Sequence, residues 1–329
     1  MQDVARVAGV SLATVSHVLN QTRFVSAETV ALVQQAIRET GYIPNILARA
    51  LATNSTSSVG LVLSWIANPY FADIIGAIET ECYRAGISVF LSDSNDDPEK
   101  ELRTIQDLHQ RRVDGIILAP TPDPMNRTLD YLVTHDIRTV LVDRRAWPDF
   151  DYVGLQNDKA IHMLVDHMVG HGHRHIVFMP GHEGYQTSLE RAAAFSERMR
   201  FHGLSETARV APPSSNSEAA TQILGAVLEA GGPLDAILTG NNLTTIGAMR
   251  AIRRHGLRIP QDVAIAGVDD FEWADSFEPR LTVIAQPCQD IGRHAAELIQ
   301  RRITDADRPP VCTTLEPVLV VRNSCRCGM

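Results

Sequence analysis

Polar residues gather just after a series of short aliphatic runs. Asn68-Pro-Tyr-Phe71 follows the run at 59–63, Asp93 the run at 88–91, Asp143-Arg144-Arg145 the run at 139–142, and Gln156-Asn157 the run at 152–155. Farther along come Arg191, Asn241-Asn242 after 236–238, Asp269-Asp270 after 263–266, and Gln286 after 282–285. Carboxylates, carboxamides and guanidinium groups are planar and form paired hydrogen bonds, while Tyr70 and Phe71 add flat apolar faces. That mixture suits the hydroxyls and apolar faces of a monosaccharide. Any one of these Asp residues could equally be a helix cap or a turn former, so the reading rests on the set.

A second constellation lies at the start of the chain. Val4, Ala5 and Ala8 form the apolar side of a short first helix, and Gly9 can take the positive φ needed to leave it. Ser11 then caps a second helix in which Val15, Val18 and Leu19 recur at helical spacing, leaving Leu12, Ala13, Thr14, Ser16 and His17 outward. A third amphipathic helix follows, capped by Ser26, with Val30, Val33 and Ile37 inward and Gly41 as its stop. Two short helices across a tight turn describe a helix-turn-helix, although the bare pattern also fits an ordinary helical hairpin. The third helix favours the first reading, and the charge does not argue against it. The chain carries a net −9, but its first 58 residues hold four Arg and three acids, so +1 lies there and −10 on the rest. An acidic body repels DNA and a weakly basic head attracts it, so contact runs through the head and two copies are needed for firm binding.

The elements that must position the strand-end residues alternate. Strands are expected at 59–63, 88–91, 115–118, 139–142, 152–155, 176–179, 236–238, 263–266, 282–285 and 317–321, most of them separated by helical segments. This is the texture of parallel sheets flanked by helices, and at 329 residues it divides into two lobes. Ligands in such folds bind at the carboxyl ends of the strands. No apolar run reaches the roughly 20 residues that span a bilayer and no signal-peptide core is present, so the chain reads as cytoplasmic. The five cysteines (Cys82, Cys288, Cys312, Cys325 and Cys327) are odd in number and scattered, which suits reduced thiols; Cys325 and Cys327 read as an inert, frayed tail, with metal binding or oxidation as the alternative. His167, His171, His173, His175 and His182 are set aside as metal ligands because His171-Gly-His173 ends its helix in a turn. Without a GxGxxG after a strand, a Walker loop, a GxSxG elbow or an HExxH, the expectation is no enzyme, no cofactor and no metal.

Asp3-Val-Ala, Ala8-Gly-Val-Ser, Ala13-Thr-Val-Ser, Val18-Leu-Asn, Gly41-Tyr and Pro44-Asn match, in order and spacing, the headpiece of the lac/galactose repressor family, which the chain resembles over nearly its whole length. The resemblance implies a headpiece at 1–44, a hinge helix and linker at 45–58, and an effector-binding and dimerisation domain at 59–329 of the periplasmic-sugar-binding-protein type. Lobe one would cover about 59–157 and 286–310, and lobe two about 158–285 and 311–329. It assigns DNA contact to Leu12, Ala13, Thr14, Ser16, His17 and Asn20 in the major groove. Asn45, Ala48 and Leu51 fall to a hinge helix in the minor groove, with Leu51 as the wedge into the base stack. By similarity to ribose-binding clefts, Tyr70 and Phe71 stack on the sugar, and Asp143, Arg144, Asn157, Arg191, Asn242, Asp269 and Gln286 bind hydroxyls, with Asp93 added at its strand end. His17 stands where the family usually carries Arg, Asn242 where it commonly carries Asp, and no aromatic is evident near 212–216 in the second lobe. The implied protein is a homodimeric repressor on a pseudo-palindromic operator, controlled by a monosaccharide or derivative. No heptad tail follows Val321, which favours a dimer over a tetramer. The alternative is a cytosolic sugar-binding protein or a sugar-acting α/β enzyme without DNA function.

Overall fold

The computed structural model describes residues 1–20, 23–42, 55–146 and 150–327. Of the expected hinge helix, 45–54, including Asn45, Ala48 and Leu51, lies outside the described residues. The chain divides into two units, 1–58 with 111–114, and 59–110 with 115–329.

The first unit is helical: α1 (Gln2–Ala8), α2 (Leu12–Asn20) and α3 (Ala27–Thr40). Their ends form as the residue types dictate. Gly9 and Gly41 close α1 and α3 with φ of 64° and 60°, a conformation that costs glycine nothing. The Ser11 and Ser26 hydroxyls accept from the backbone N–H of Thr14 and Thr29 and so cap α2 and α3. Val4, Val15, Val33 and Ala36 are fully or almost fully buried, with Ala8, Val18, Leu19 and Ile37 packed around them.

The second unit contains two six-stranded sheets. In chain order its elements are β1 (Ser58–Leu63, its first residue in the first unit), α4 (Pro69–Arg84), β2 (Ser88–Asp93), α5 (Pro98–Gln110), β3 (Gly115–Leu118), α6 (Arg127–Thr134), β4 (Thr139–Val142) and β5 (Asp151–Leu155). Then come α7 (Asn157–Gly170), β6 (Ile176–Met179), α8 (Gln186–Phe201), β7 (Ala208–Val210), α9 (Ser217–Ala230), β8 (Ala236–Thr239), α10 (Asn242–Arg254), β9 (Ala264–Val268), β10 (Thr282–Ala285), α11 (Cys288–Thr304), β11 (Cys312–Leu315) and β12 (Val318–Val320). The sheets run in the orders β11-β5-β4-β3-β1-β2 and β12-β10-β9-β8-β6-β7. Each is a doubly wound sheet, switching direction between β1 and β3 in one and β6 and β8 in the other. Central strands such as β3, β4, β6 and β8 are buried at every residue, as parallel sheets covered by helices require, whereas the edge strands β2, β7, β11 and β12 are partly exposed.

The chain crosses between the sheets after β5, after β10 and after β11. This corrects the expected boundary, which gave everything after 310 to lobe two. Cys312–Leu315 instead pairs in parallel with β5 in the first sheet, and only β12 joins the second, antiparallel to β10. The buried Asp151 carboxylate fixes that placement: it accepts from the Val311 backbone N–H and from Arg302 and Arg308 at 2.6–2.9 Å. A four-residue strand with two adjacent Thr at its centre, held by a carboxylate 160 residues away, leaves no local signal. The short edge strand β7 was missed for the same reason. The cysteine reading also changes. Cys325 is fully buried in the core of the second lobe and is disulfide-bonded to Cys327, so the tail is packed, not frayed. No helix among the described residues is long and apolar enough to cross a membrane.

Candidate functional site

In the helical unit, α2 buries Val15 and presents Leu12 and Ala13 exposed and Thr14, Ser16, His17 and Asn20 partly so. The outward set read from periodicity is therefore a continuous face of small and polar side chains. Asn20 Nδ2 donates to Ser16 Oγ at 3.3 Å, joining two of them along the helix. A short helix that presents small groups and carries no acid in its first turn fits a DNA groove.

In the two-sheet unit a cavity opens at the carboxyl ends of the strands. Seven of the ten expected residues line it: Tyr70, Phe71, Asp143, Arg144, Arg191, Asp269 and Gln286. Two more brace it from behind. Asn157, the first residue of α7, accepts from Arg191 Nε at 2.7 Å and donates to Glu190 at 2.7 Å. Asn242, the first residue of α10, gives its backbone N–H to Asp269 at 2.9 Å and its side-chain amide to Asn68 at 2.6 Å. Since Asn68 belongs to the first lobe, this last bond runs across the cleft. Asp93 is the exception. Its Oδ1 accepts from the backbone N–H of Trp65 and Asn95, both at 2.8 Å, so it shapes the loop that carries Trp65 and does not line the cavity. The strand-end rule leads to this cavity but could not separate a turn former from a lining residue.

Sequence reasoning missed Trp65, Asp96, His182, Tyr185 and Ser214 among the lining residues. Tyr185 supplies the second-lobe aromatic that was not evident near 212–216. Its ring is stacked with His182 and lies 3.7 Å beneath the Arg144 guanidinium carbon, so both faces are occupied. Nothing in its spacing marks it, because it precedes α8 by one residue and only the fold brings it across to Arg144.

The cleft is highly polar for a buried site. Tyr70 donates its hydroxyl to Asp143 at 2.8 Å, Arg144 donates to Asp96 at 2.9 Å, Gln286 to Asp269 at 2.6 Å, and Arg191 to the Gly240 carbonyl at 2.5 Å. Burial pushes the Tyr70 hydroxyl far above its ordinary value, with the Asp143 charge adding to the effect. Burial also opposes the Arg144 charge, but Tyr185, Asp96 and Asp143 together outweigh it and hold the guanidinium above its usual range. Three buried polar atoms in or beside the cleft nonetheless have no hydrogen-bond partner, Ser64 Oγ, Asn242 Oδ1 and Gln286 Oε1, while Arg144 Nε faces the Asp143 carboxylate at 3.6 Å. Unpaired buried polar atoms are rare and costly, so those gathered at the cleft are groups that a polar ligand or water could satisfy. Backbone strain points the same way. Asp143 and Asp269, one in each sheet's strand-end loop, hold φ of 64° and 85°, as does Trp65 at 66°. Non-glycine residues are held there against a cost of about 1–3 kcal/mol each, which concentrates at functional sites.

Asp269 allows a direct check. Burial pushes its carboxyl above the ordinary value, outweighing Arg191 and the donors Gln286 and Asn242. A carboxyl raised in the folded state favours folding below its unfolded value and loses that contribution as pH rises through the folded value. Asp269→Asn removes the titration, and Gln286 can turn its unpaired oxygen to the new amide. In thermal melts of the ligand-free protein, the variant should gain on the wild type as pH rises above about 4, the ordinary carboxylate value, towards the raised value of the folded state. A difference that stays flat with pH would show that Asp269 is not strained by its burial.

Known proteins share both parts of this architecture. Residues 1–45 match the family described as bacterial regulatory proteins, lacI family, and residues 165–325 match the periplasmic binding protein-like domain. The chain is 33% identical over 330 residues to the HTH-type transcriptional repressor PurR of Pasteurella multocida strain Pm70, covering 98% of each. It is 31% identical over 341 residues to the ribose operon repressor of Escherichia coli strain K12, covering 98% of this chain and 99% of the relative. Among solved structures, the lac repressor dimer bound to operator and the anti-inducer ONPF superimposes with a TM-score of 0.87 at 26% identity, covering 98% of each chain. The cellobiose complex of the regulator CelR gives 0.75 at 27%, with the same coverage. A likeness that covers 98% of the chain, with the exposed face of α2 and the polar cleft both present, places the chain in the lacI family of bacterial regulatory proteins, as a DNA-binding transcriptional regulator with a small-molecule-binding domain and not an enzyme.

Proposed function

We propose that this chain is a homodimeric repressor that holds a pseudo-palindromic operator until a monosaccharide or close derivative occupies the cleft. The observation that carries the ligand class is the set of buried atoms without a hydrogen-bond partner, two amide oxygens and a hydroxyl, around a cavity already lined by carboxylates. They are spread over both lobes and complement a small molecule whose hydroxyls both donate and accept in several directions. A flat base needs an open apolar slot instead. Tyr70 and Phe71 are tilted by 60° to one another, and both faces of Tyr185 are taken, so the cleft favours the sugar.

Dimerisation rests on a different feature. The edge strand β2 exposes Phe90 and Leu91, and Tyr83 near the end of α4 is 78% exposed. Apolar groups on a sheet edge call for a covering partner. A similar chain, the lac repressor, is solved as a dimer on operator. In the dimer each α2 reads one half-site of the operator. Sugar bound across the lobes would favour one lobe arrangement over the other. A hundredfold preference corresponds to about 3 kcal/mol, enough to release the operator.

The test is a thermal-shift screen of pentoses, hexoses, sugar acids, sugar phosphates and purine bases, followed by binding to the protein's own upstream DNA at graded salt with and without each hit. A carbohydrate that raises the melting temperature and weakens DNA binding supports the reading. A response to purines alone would replace the ligand class, and no DNA binding at low salt would remove the operator.

A further inference from the structure

The carboxyl end of α7, far along the helix from Asn157, carries a cluster that neither DNA nor effector binding uses. His167 and His171 lie four residues apart with ring centroids 4.4 Å from one another. The tail returns to them after some 160 residues of chain: His167 Nε2 lies 2.8 Å from Cys327 Sγ and 3.3 Å from Cys325 Sγ. The ligand-capable atoms of His167, His171 and Cys327 all fall within 4.8 Å of one another. Donors on one tetrahedral ion, at bonds of about 2.0–2.3 Å, sit roughly 3.3–3.8 Å apart, so the two imidazoles and Cys327 need only draw in, while the two sulfurs must part once reduced.

We propose that, when Cys325 and Cys327 are in the dithiol form, His167, His171, Cys325 and Cys327 bind one transition-metal ion of the Zn²⁺ class. The chemistry of each donor fits. His171 Nδ1 faces the His167 carbonyl at 2.7 Å, where it donates, leaving Nε2 its lone pair. Surrounding groups set the tail in place: His173 Nε2 meets the Cys325 carbonyl at 3.1 Å, and Thr282 Oγ1 meets Cys325 Sγ at 3.1 Å. Such outer contacts orient first ligands in metal sites. Two imidazoles with two thiolates select Zn²⁺ or Co²⁺ over oxygen-seeking Mg²⁺ or Ca²⁺.

In the structure the two sulfurs are joined to each other, so the site is the oxidised partner of the proposed one. A phosphine reductant converts one form to the other: the phosphine takes the oxygen of one water and becomes its oxide, and the disulfide takes up two electrons and two protons to give two thiols. The metal ion then displaces those two protons to solvent. Reduction thus exchanges one link between the tail and itself for one between the tail and α7.

Full-length protein, stripped of metal and reduced with phosphine, should be titrated with Co²⁺ and read by absorption. The expected result is a thiolate-to-cobalt charge-transfer band with tetrahedral d–d bands, saturating at about one equivalent and erased by Zn²⁺. Cys327→Ser and His171→Asn, both at partly or fully exposed positions, should each lose the band, and the oxidised chain should not show it. No thiolate band in the reduced wild type, or a band undiminished in both variants, would overturn the assignment. Neither result bears on sugar or operator binding.

Discussion

Arg191→Ala abolishes the thermal stabilisation given by the cognate sugar and the sugar's effect on DNA binding, while the ligand-free protein keeps its operator affinity. Arg191 is 5% exposed, bridges Asn157 and the Gly240 carbonyl, and is the cation that opposes the buried charge of Asp269. Truncation removes charge-assisted bonds worth about 1.5–3 kcal/mol each and leaves Asp269 without its counter-charge. A loss near 3 kcal/mol corresponds to roughly a hundredfold in affinity. Arg191→Lys separates charge from shape. Lysine restores the positive charge but cannot present the planar fork that holds Asn157 and Gly240 together, so it should recover stability more than sugar binding. Calorimetric titration with the best sugar from the screen, run beside DNA binding, reads both. Unchanged sugar affinity in the alanine variant would mean that the cleft is not the effector site.

Val15→Asp has the opposite profile: it removes DNA binding and spares the cleft. Val15 is one of four residues at the centre of the helical unit, in contact with Val4, Val33 and Ala36 and fully shielded from water. A carboxylate there has no cation to pair with inside that cluster, and burying it unpaired costs several kcal/mol. A three-helix unit of some 40 residues has little stability to lose, so it unfolds. The cores of the two sheets contain none of its residues, and the body should melt as before. The measurements are operator binding at low salt, expected to fall by at least about a hundredfold, and the sugar-induced shift in melting temperature, expected to persist. Retention of full operator binding would remove α2 as the reading element.

Much of this was already legible in the chain. Glycine and serine at element ends specify caps whose geometry depends on the residue alone, so Ser11, Gly9, Ser26 and Gly41 could be placed before the fold was known. Strands β3, β4, β6 and β10 were bounded to the residue because a strand buried on both faces must be aliphatic throughout and stop where polarity returns. The strand-end rule then gathered most of the cleft, since any doubly wound sheet delivers those positions to one edge.

What the chain could not state is which distant residues meet. Asp93 and Asp143 are both carboxylates just past an aliphatic run, yet one closes a turn under Trp65 and the other receives the Tyr70 hydroxyl in the cleft. Tyr185 reaches Arg144, β11 returns to β5, and Cys327 comes back to His167, each across an interval with no periodicity to betray it. Local rules act through backbone dihedrals and nearest neighbours, so sequence determined the elements, the reading face and the family. Pairings over a hundred or more residues are chosen only when apolar faces close into cores and the remaining buried polar groups must find partners, and that step belonged to the tertiary structure alone.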